Sequence, residues 1–153
     1  ESGKVKHVGV SNFTPMQFEL LSSRLSIPLV TNQIELSVLH LDPLHDGTMD
    51  YLQRIRNAPM IWSPLNGSRL FDQHDERTQR VRSALATVGD ELGGVGPDQV
   101  ALAWLHQVPG NVMPVLGTGR IERIRAAVAA ESIVLDRQQW FAIWEASAGH
   151  EVP

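Results

Sequence analysis

Four short stretches bring polar or aromatic side chains to the point where an apolar run stops: Ser11-Asn12, Gln33, Trp62-Ser63 and Gly117-Thr118-Gly119-Arg120. A core strand would bury neither a hydroxyl nor an amide without partners, because an unpaired buried polar group costs about 1–3 kcal/mol. The amides of Asn12 and Gln33 each offer a donor and an acceptor, which suits a carboxamide or a base edge. Trp62 offers a flat face on which a planar ring can stack. The Gly117-Thr118-Gly119 turn leads into a helical stretch whose N-terminus favours anions. Arg120 and Arg123, in its first turns, can clamp a phosphate. Taken singly, each has a plainer reading: a turn or cap for the amides, core for Trp62, a solvated helix face for the arginines. Gly117-x-Gly119 also lacks the third glycine of the dinucleotide fingerprint. At four matching positions they describe a nucleotide-binding rim.

The elements that must carry these residues alternate along the chain. Apolar runs predict strands near His7–Asn12, Leu29–Glu35, Met60–Pro64 and Val112–Leu116, apolar on both faces as parallel strands between helices are. The first helix has an explicit start, with Thr14 as N-cap, Pro15 at the first helical position, Gln17 closing a capping box and Phe13 and Phe18 placed as a hydrophobic staple. A second helix is expected over Thr48–Arg56, ended by Pro59. A polar loop over Gly67–Glu76 precedes an amphipathic helix over Thr78–Leu92, a glycine-rich break at Gly93–Gly96 and a largely buried helix over Pro97–Gln107. Ile121, Ile124 and Val128 recur at helical spacing, and a last helix opens at Asp136 with Trp140, Ile143 and Trp144 on one face. The pattern implies one parallel α/β unit over residues 1–153 with right-handed crossovers. In such folds the carboxyl ends of the strands carry function, and all four polar stretches fall there.

Composition narrows the classes. The chain has 153 residues, 42% hydrophobic and 20% charged, with a formal net charge of -4. That balance gives no general attraction to nucleic acid, and no apolar run approaches the roughly 18 residues of a membrane span. With no cysteine, disulfides, thiolate metal sites and cysteine nucleophiles are excluded. This fits a cytoplasmic location, as does the lack of a secretion-type leader. The chain begins at Glu1 rather than at a methionine and is expected to be a processed or excised piece.

In combination, five segments resemble the aldo-keto reductase family: Gly9-Val10-Ser11-Asn12-Phe13, Asn32-Gln33-Ile34-Glu35, Trp62-Ser63-Pro64-Leu65, Pro97-x-Gln99-Val100-Ala101-Leu102-Ala103-Trp104, and Pro114 through Arg123. They run in the family's order and approximate spacing. The resemblance implies that this chain is the C-terminal half, strands five to eight with their helices, of a (β/α)₈ TIM barrel. It implies that Ser11, Asn12 and Gln33 hold the nicotinamide carboxamide and that Trp62 stacks on the nicotinamide ring, where most members have tyrosine. It places Ser63, Leu65 and Gly67 along the pyrophosphate, and Thr118 and Arg123 at positions that bind the adenosine 2′-phosphate, so that NADPH (NADP+) is favoured over NADH; Gly117, Gly119 and Arg120 are counted with them as cofactor-binding. The chain departs from the family where Gly117 stands for the phosphate-binding lysine of many members, a loss for which Arg120 is expected to compensate. It departs again where Ala126 and Ala127 replace an acid and an asparagine that contact adenine.

The family's catalytic tyrosine, lysine, aspartate and histidine belong to the first half of the barrel, so no catalytic residue is assigned here. Tyr51, the one tyrosine, falls in an expected helix and is read as packing. His7, His40, His45, His74, His106 and His150 lack metal-ligand spacing and are expected at exposed loop or helix positions. Glu35 is read as the only acid close to the rim, in a structural pairing. The expected function is an NADPH-dependent reduction of a small aldehyde or ketone substrate, with this chain supplying the cofactor-binding half and neither nucleic acid nor membrane as partner. The alternatives are a non-catalytic nucleotide-binding relative and a truncated, inactive fragment. Half a barrel has two open sheet edges, so the piece alone is expected to pair with the missing half or with itself.

Overall fold

A computed structural model describes residues 3–67 and 69–152. Four parallel strands, β1 (Val8–Ser11), β2 (Leu29–Glu35), β3 (Met60–Trp62) and β4 (Met113–Pro114), form one sheet in chain order. The sheet is open, with β1 and β4 at its edges. Register pairs Ser11 with Gln33 and Glu35 with Trp62, so the carboxyl ends of the first three strands lie side by side. The helices are α1 (Pro15–Ser22), α2 (Thr48–Arg54), α3 (Arg69–Asp72), α4 (Glu76–Glu91), α5 (Pro97–His106), α6 (Ile121–Ala129) and α7 (Arg137–Ala148). No helix is long and apolar enough to cross a membrane among the described residues.

The helix starts follow from local chemistry. Thr14 and Gln17 form the expected capping box at α1, and Asp136 with Gln139 forms a second at α7, each satisfying backbone donors that the first turn leaves unpaired. Helix α5 is the centre of the core, with Val100 through Leu105 buried. It is clasped to α7 by Trp104 and Trp140, whose rings stack 5.2 Å apart. Each indole N–H also donates to the other residue's carbonyl, at 3.0 and 3.1 Å.

Several expectations need correction. The strands are shorter, β3 stopping at Trp62 and β4 holding only Met113–Pro114, because left-handed backbone at Ser63 ends β3 and β4 has a neighbour on one side alone. For the same reason β1 and β4 are not buried on both faces; β1 alternates half-buried and exposed positions, and Met113 is 47% exposed. Helix α2 ends at Arg54, since Arg56 is left-handed. The loop expected over Gly67–Glu76, of which Ser68 lies outside the described residues, instead contains α3, whose Leu70 is 0% exposed and plugs the core. Helix α4 starts at Glu76 because Asp75, not Thr78, is its cap: the Asp75 carboxylate accepts from the Thr78 N–H and hydroxyl. The Ile121, Ile124, Val128 stripe does form a helix, but it stays largely exposed among the described residues, Ile121 at 63%, Ile124 at 37% and Val128 at 62%.

Candidate functional site

The β1 end is built by hydrogen bonds to β2. The Asn12 N–H donates to the Gln33 carbonyl at 2.9 Å, and the Ser11 hydroxyl donates to the same oxygen at 3.0 Å. One residue on, the amide of Asn32 (1% exposed) holds the Phe13 backbone, donating to its carbonyl at 2.8 Å and accepting from its N–H at 3.3 Å. This pins the turn that follows Asn12. Asn32 is a support that reading strand ends alone misses, because it lies inside β2 and is buried. Gly9 allows the close approach: a Cβ there would lie 2.8 Å from Thr31 Cγ2 and 2.9 Å from the Thr31 carbonyl oxygen.

Trp62 closes this corner. Its indole N–H donates to Asn12 Oδ1 at 2.9 Å, reaching across the end of β2. Asn12 (φ 55°) and Ser63 (φ 49°) are both left-handed, a conformation that costs a non-glycine residue about 1–2 kcal/mol and collects at functional sites. The structure thus brings Ser11, Asn12, the Gln33 backbone carbonyl and Trp62 together. The Gln33 side-chain amide has no hydrogen-bond partner among the described residues.

After Trp62, Ser63 and Asn66 close a tight turn, the Asn66 N–H donating to the Ser63 carbonyl at 2.7 Å. Leu65 packs a partly buried side chain against the core. Gly67 is left-handed (φ 62°), and a Cβ there meets nothing within 4 Å. On the far side β4 delivers Gly117 and Gly119, likewise open to 4 Å. The Thr118 hydroxyl oxygen accepts from the Arg120 N–H at 3.2 Å. Arg120 is the N-cap of α6 with no side-chain capping bond, which leaves the helix's first N–H groups available to an anion. Arg120 and Arg123 are exposed and pair with no carboxylate among the described residues.

A cleft of about 360 Å³ opens beside Asn12 and Trp62, lined also by Glu35, His40, Asp42 and Asp46. Glu35 is therefore not the only acid near the rim; the β2–α2 connection folds back and brings Asp42 and Asp46 to it. His40 stands 4.0 Å from both the Glu35 and Asp42 carboxylates. It is half-buried rather than exposed, as is His106. The signal for this fold-back lies in Leu36, Val38, Leu39 and Leu41, all buried, in a stretch too irregular to show a period. Its carboxylates repel phosphate, and none of Ser63, Thr118, Arg120 and Arg123 lines the cleft. Electrostatics therefore divides the rim into an acidic side at β1–β2 and a cationic side at β4–α6.

Tyr51 is on α2, its ring edge-on to Phe18 at 5.8 Å and under the Arg54 guanidinium at 5.2 Å. Burial, then the Glu19 carboxylate, pushes its hydroxyl above the ordinary phenol value, with Arg54 opposing. A proton donor at neutral pH needs the opposite shift.

The aldo/keto reductase family profile matches residues 1–148. The chain is 51% identical to oxidoreductase YdhF of Escherichia coli K12 over 153 residues, all of this chain and 51% of that protein. It is 48% identical to a 6-dehydroglucose reductase of Agrobacterium fabrum over 151 residues, 99% of this chain and 50% of that protein. A thermostable aldo-keto reductase, Tm1743, solved with the inhibitor epalrestat, superposes with a TM-score of 0.80 at 26% identity, over 92% of this chain and 48% of that one. The chain thus spans about half the length of the relatives it matches. Its parallel α/β fold is that of their barrel, and its described residues form four strands that do not close. The family profile, the relatives and the fold agree: this chain belongs to the aldo/keto reductase family.

Proposed function

We propose that the chain is the cofactor-binding half of an NADPH-dependent oxidoreductase that reduces an aldehyde or ketone to an alcohol. The observation that carries this reading is the hydrogen-bonded corner in which Ser11, Asn12, Gln33 and Trp62, from three strands, meet at one rim. The residues fit the group. Amide and hydroxyl at the β1–β2 end suit the carboxamide and Trp62 the ring. The open backbone of Gly67, Gly117 and Gly119 leaves room for phosphates, and Thr118, Arg120 and Arg123 suit the 2′-phosphate that distinguishes NADPH from NADH. When bound, the nicotinamide supplies the hydride. This chain's own residues hold and orient it, and the acidic cleft repels the phosphate end, fixing the direction in which the dinucleotide lies.

The proton for the product alkoxide comes from residues outside this chain, since its one tyrosine packs within α2. The unpaired β1 and β4 edges and the bare apolar stripe of α6 support a partner half-barrel, or a second copy, as the surface that covers them. The chain is read as one unit, inactive by itself. The first substrate to test is 6-dehydroglucose, after the Agrobacterium relative. Loss of NADPH absorbance on its addition to the intact protein, faster than with NADH, is the expected result. Equal rates with both cofactors, or no turnover of this or any simple aldehyde, would count against the reading.

A further inference from the structure

Trp62 and Asn12 come from strands that do not pair with one another, with β2 between them. Their hydrogen bond of 2.9 Å therefore bridges the β2 end, and it is fixed from both sides. The Asn12 N–H is tied to the Gln33 carbonyl at 2.9 Å, and left-handed backbone at Asn12 and Ser63 sets the direction of each approach. An asparagine amide has nearly the same outline whichever way it is turned. The indole N–H removes that ambiguity because it can only donate. Asn12 must turn Oδ1 toward Trp62, which leaves its NH2 group pointing elsewhere, with no partner among the described residues. Ser11 is committed in the opposite sense. Its hydroxyl proton goes to the Gln33 carbonyl, so its oxygen offers lone pairs.

We infer that Trp62 is a positioning residue that sets the Asn12 amide as a donor beside Ser11 as an acceptor, a pair that selects a carboxamide over a carboxylate. The inference rests on the nicotinamide reading and deepens it. A carboxamide presents one acceptor and one donor and satisfies both residues. The carboxylate of a nicotinic-acid dinucleotide presents only acceptors and meets the Ser11 lone pairs.

Two measurements test this. In protein labelled with ¹⁵N at the indoles, the Trp62 Nε1–H signal, assigned by Trp62→Phe, should exchange slowly with solvent. It should exchange faster in Asn12→Ala and stay protected in Asn12→Asp, which keeps the acceptor. Calorimetric titrations then compare NADP+, its nicotinic-acid analogue and adenosine 2′,5′-bisphosphate. Trp62→Phe, which keeps an aromatic face but deletes the donor, should reduce the preference for NADP+ over the acid analogue about tenfold, the worth of one hydrogen bond. Affinity for the bisphosphate should not change. Asn12→Ala should cost the same preference, and the double variant no more. A preference untouched by Trp62→Phe, or additive losses, would overturn the inference, as would an unprotected Trp62 indole. If the unmodified protein binds the bisphosphate but neither dinucleotide, the nicotinamide reading itself fails and the role inferred for the amide fails with it. The indole signal then still reports whether the bridge exists.

Discussion

Replacing Gly9 with alanine should damage the rim from below, and the structure sets the size of the effect. The new methyl would lie 2.8 Å from Thr31 Cγ2 and 2.9 Å from the Thr31 carbonyl oxygen, where carbon–carbon contacts are normally about 3.5–4.0 Å. Thr31 cannot rotate away freely. Its hydroxyl donates to the Ala58 carbonyl at 2.9 Å and accepts from the Met60 N–H at 3.2 Å, two bonds worth about 1 kcal/mol each. The strands must therefore part, and the bonds from Ser11 and Asn12 to the Gln33 carbonyl lie two and three residues on. Overpacking of this kind costs about 1–3 kcal/mol, offset by roughly 0.5–1 kcal/mol from removing a strand glycine. A net loss centred near about 1 kcal/mol, and no more than about 2.5 kcal/mol, is expected by urea denaturation, with weaker NADPH binding alongside. Adding Thr31→Ser keeps the hydroxyl and deletes Cγ2, so it should recover about half of the loss, while the contact with the carbonyl oxygen remains. A Gly9→Ala variant as stable as the parent, or no recovery from Thr31→Ser, would refute the steric argument.

Further outcomes follow from other parts of the fold. Leu70→Ala should cost about 2–5 kcal/mol in denaturant unfolding, because Leu70 is fully buried although it stands in a polar-looking loop; a loss under about 1 kcal/mol would mean that α3 does not plug the core. Arg123→Ala should weaken NADPH more than NADH in parallel titrations, and the difference should shrink as salt rises. The Thr78 N–H and hydroxyl hold the Asp75 carboxyl below its ordinary value of 3.8. Its stabilisation is thus present above that value and lost as pH falls through the lower, folded one. Melting temperature should accordingly fall less steeply with acid in Asp75→Asn than in the parent, and identical acid profiles would contradict the cap's role.

What could be read from the sequence depended on local rules. The capping box at Thr14, the helix start at Asp136, the four strand positions and the apolar core of α5 follow from spacing alone, and the structure has all of them. The positions of Ser11, Asn12, Gln33 and Trp62 were legible because each falls toward the carboxyl end of an expected strand. What stayed hidden is non-local. Nothing near Asn32 says that its amide binds the Phe13 backbone, and nothing near Asp42 and Asp46 says that the β2–α2 connection folds back over the rim. Leu70 looked like loop because one buried leucine among polar neighbours has no period. The α6 stripe gave the right helix, but its spacing could not say that Ile121 and Val128 stay exposed among the described residues.

The central claim is that this rim holds a nicotinamide dinucleotide with its ring at Trp62. An equilibrium titration of NADPH, followed by tryptophan fluorescence in the intact protein and in Trp62→Ala, tests it most directly. Saturable quenching that is largely lost in the variant, while adenosine 2′,5′-bisphosphate still binds, is the predicted result. No saturable change in the parent, or the same quenching and affinity without Trp62, would contradict it.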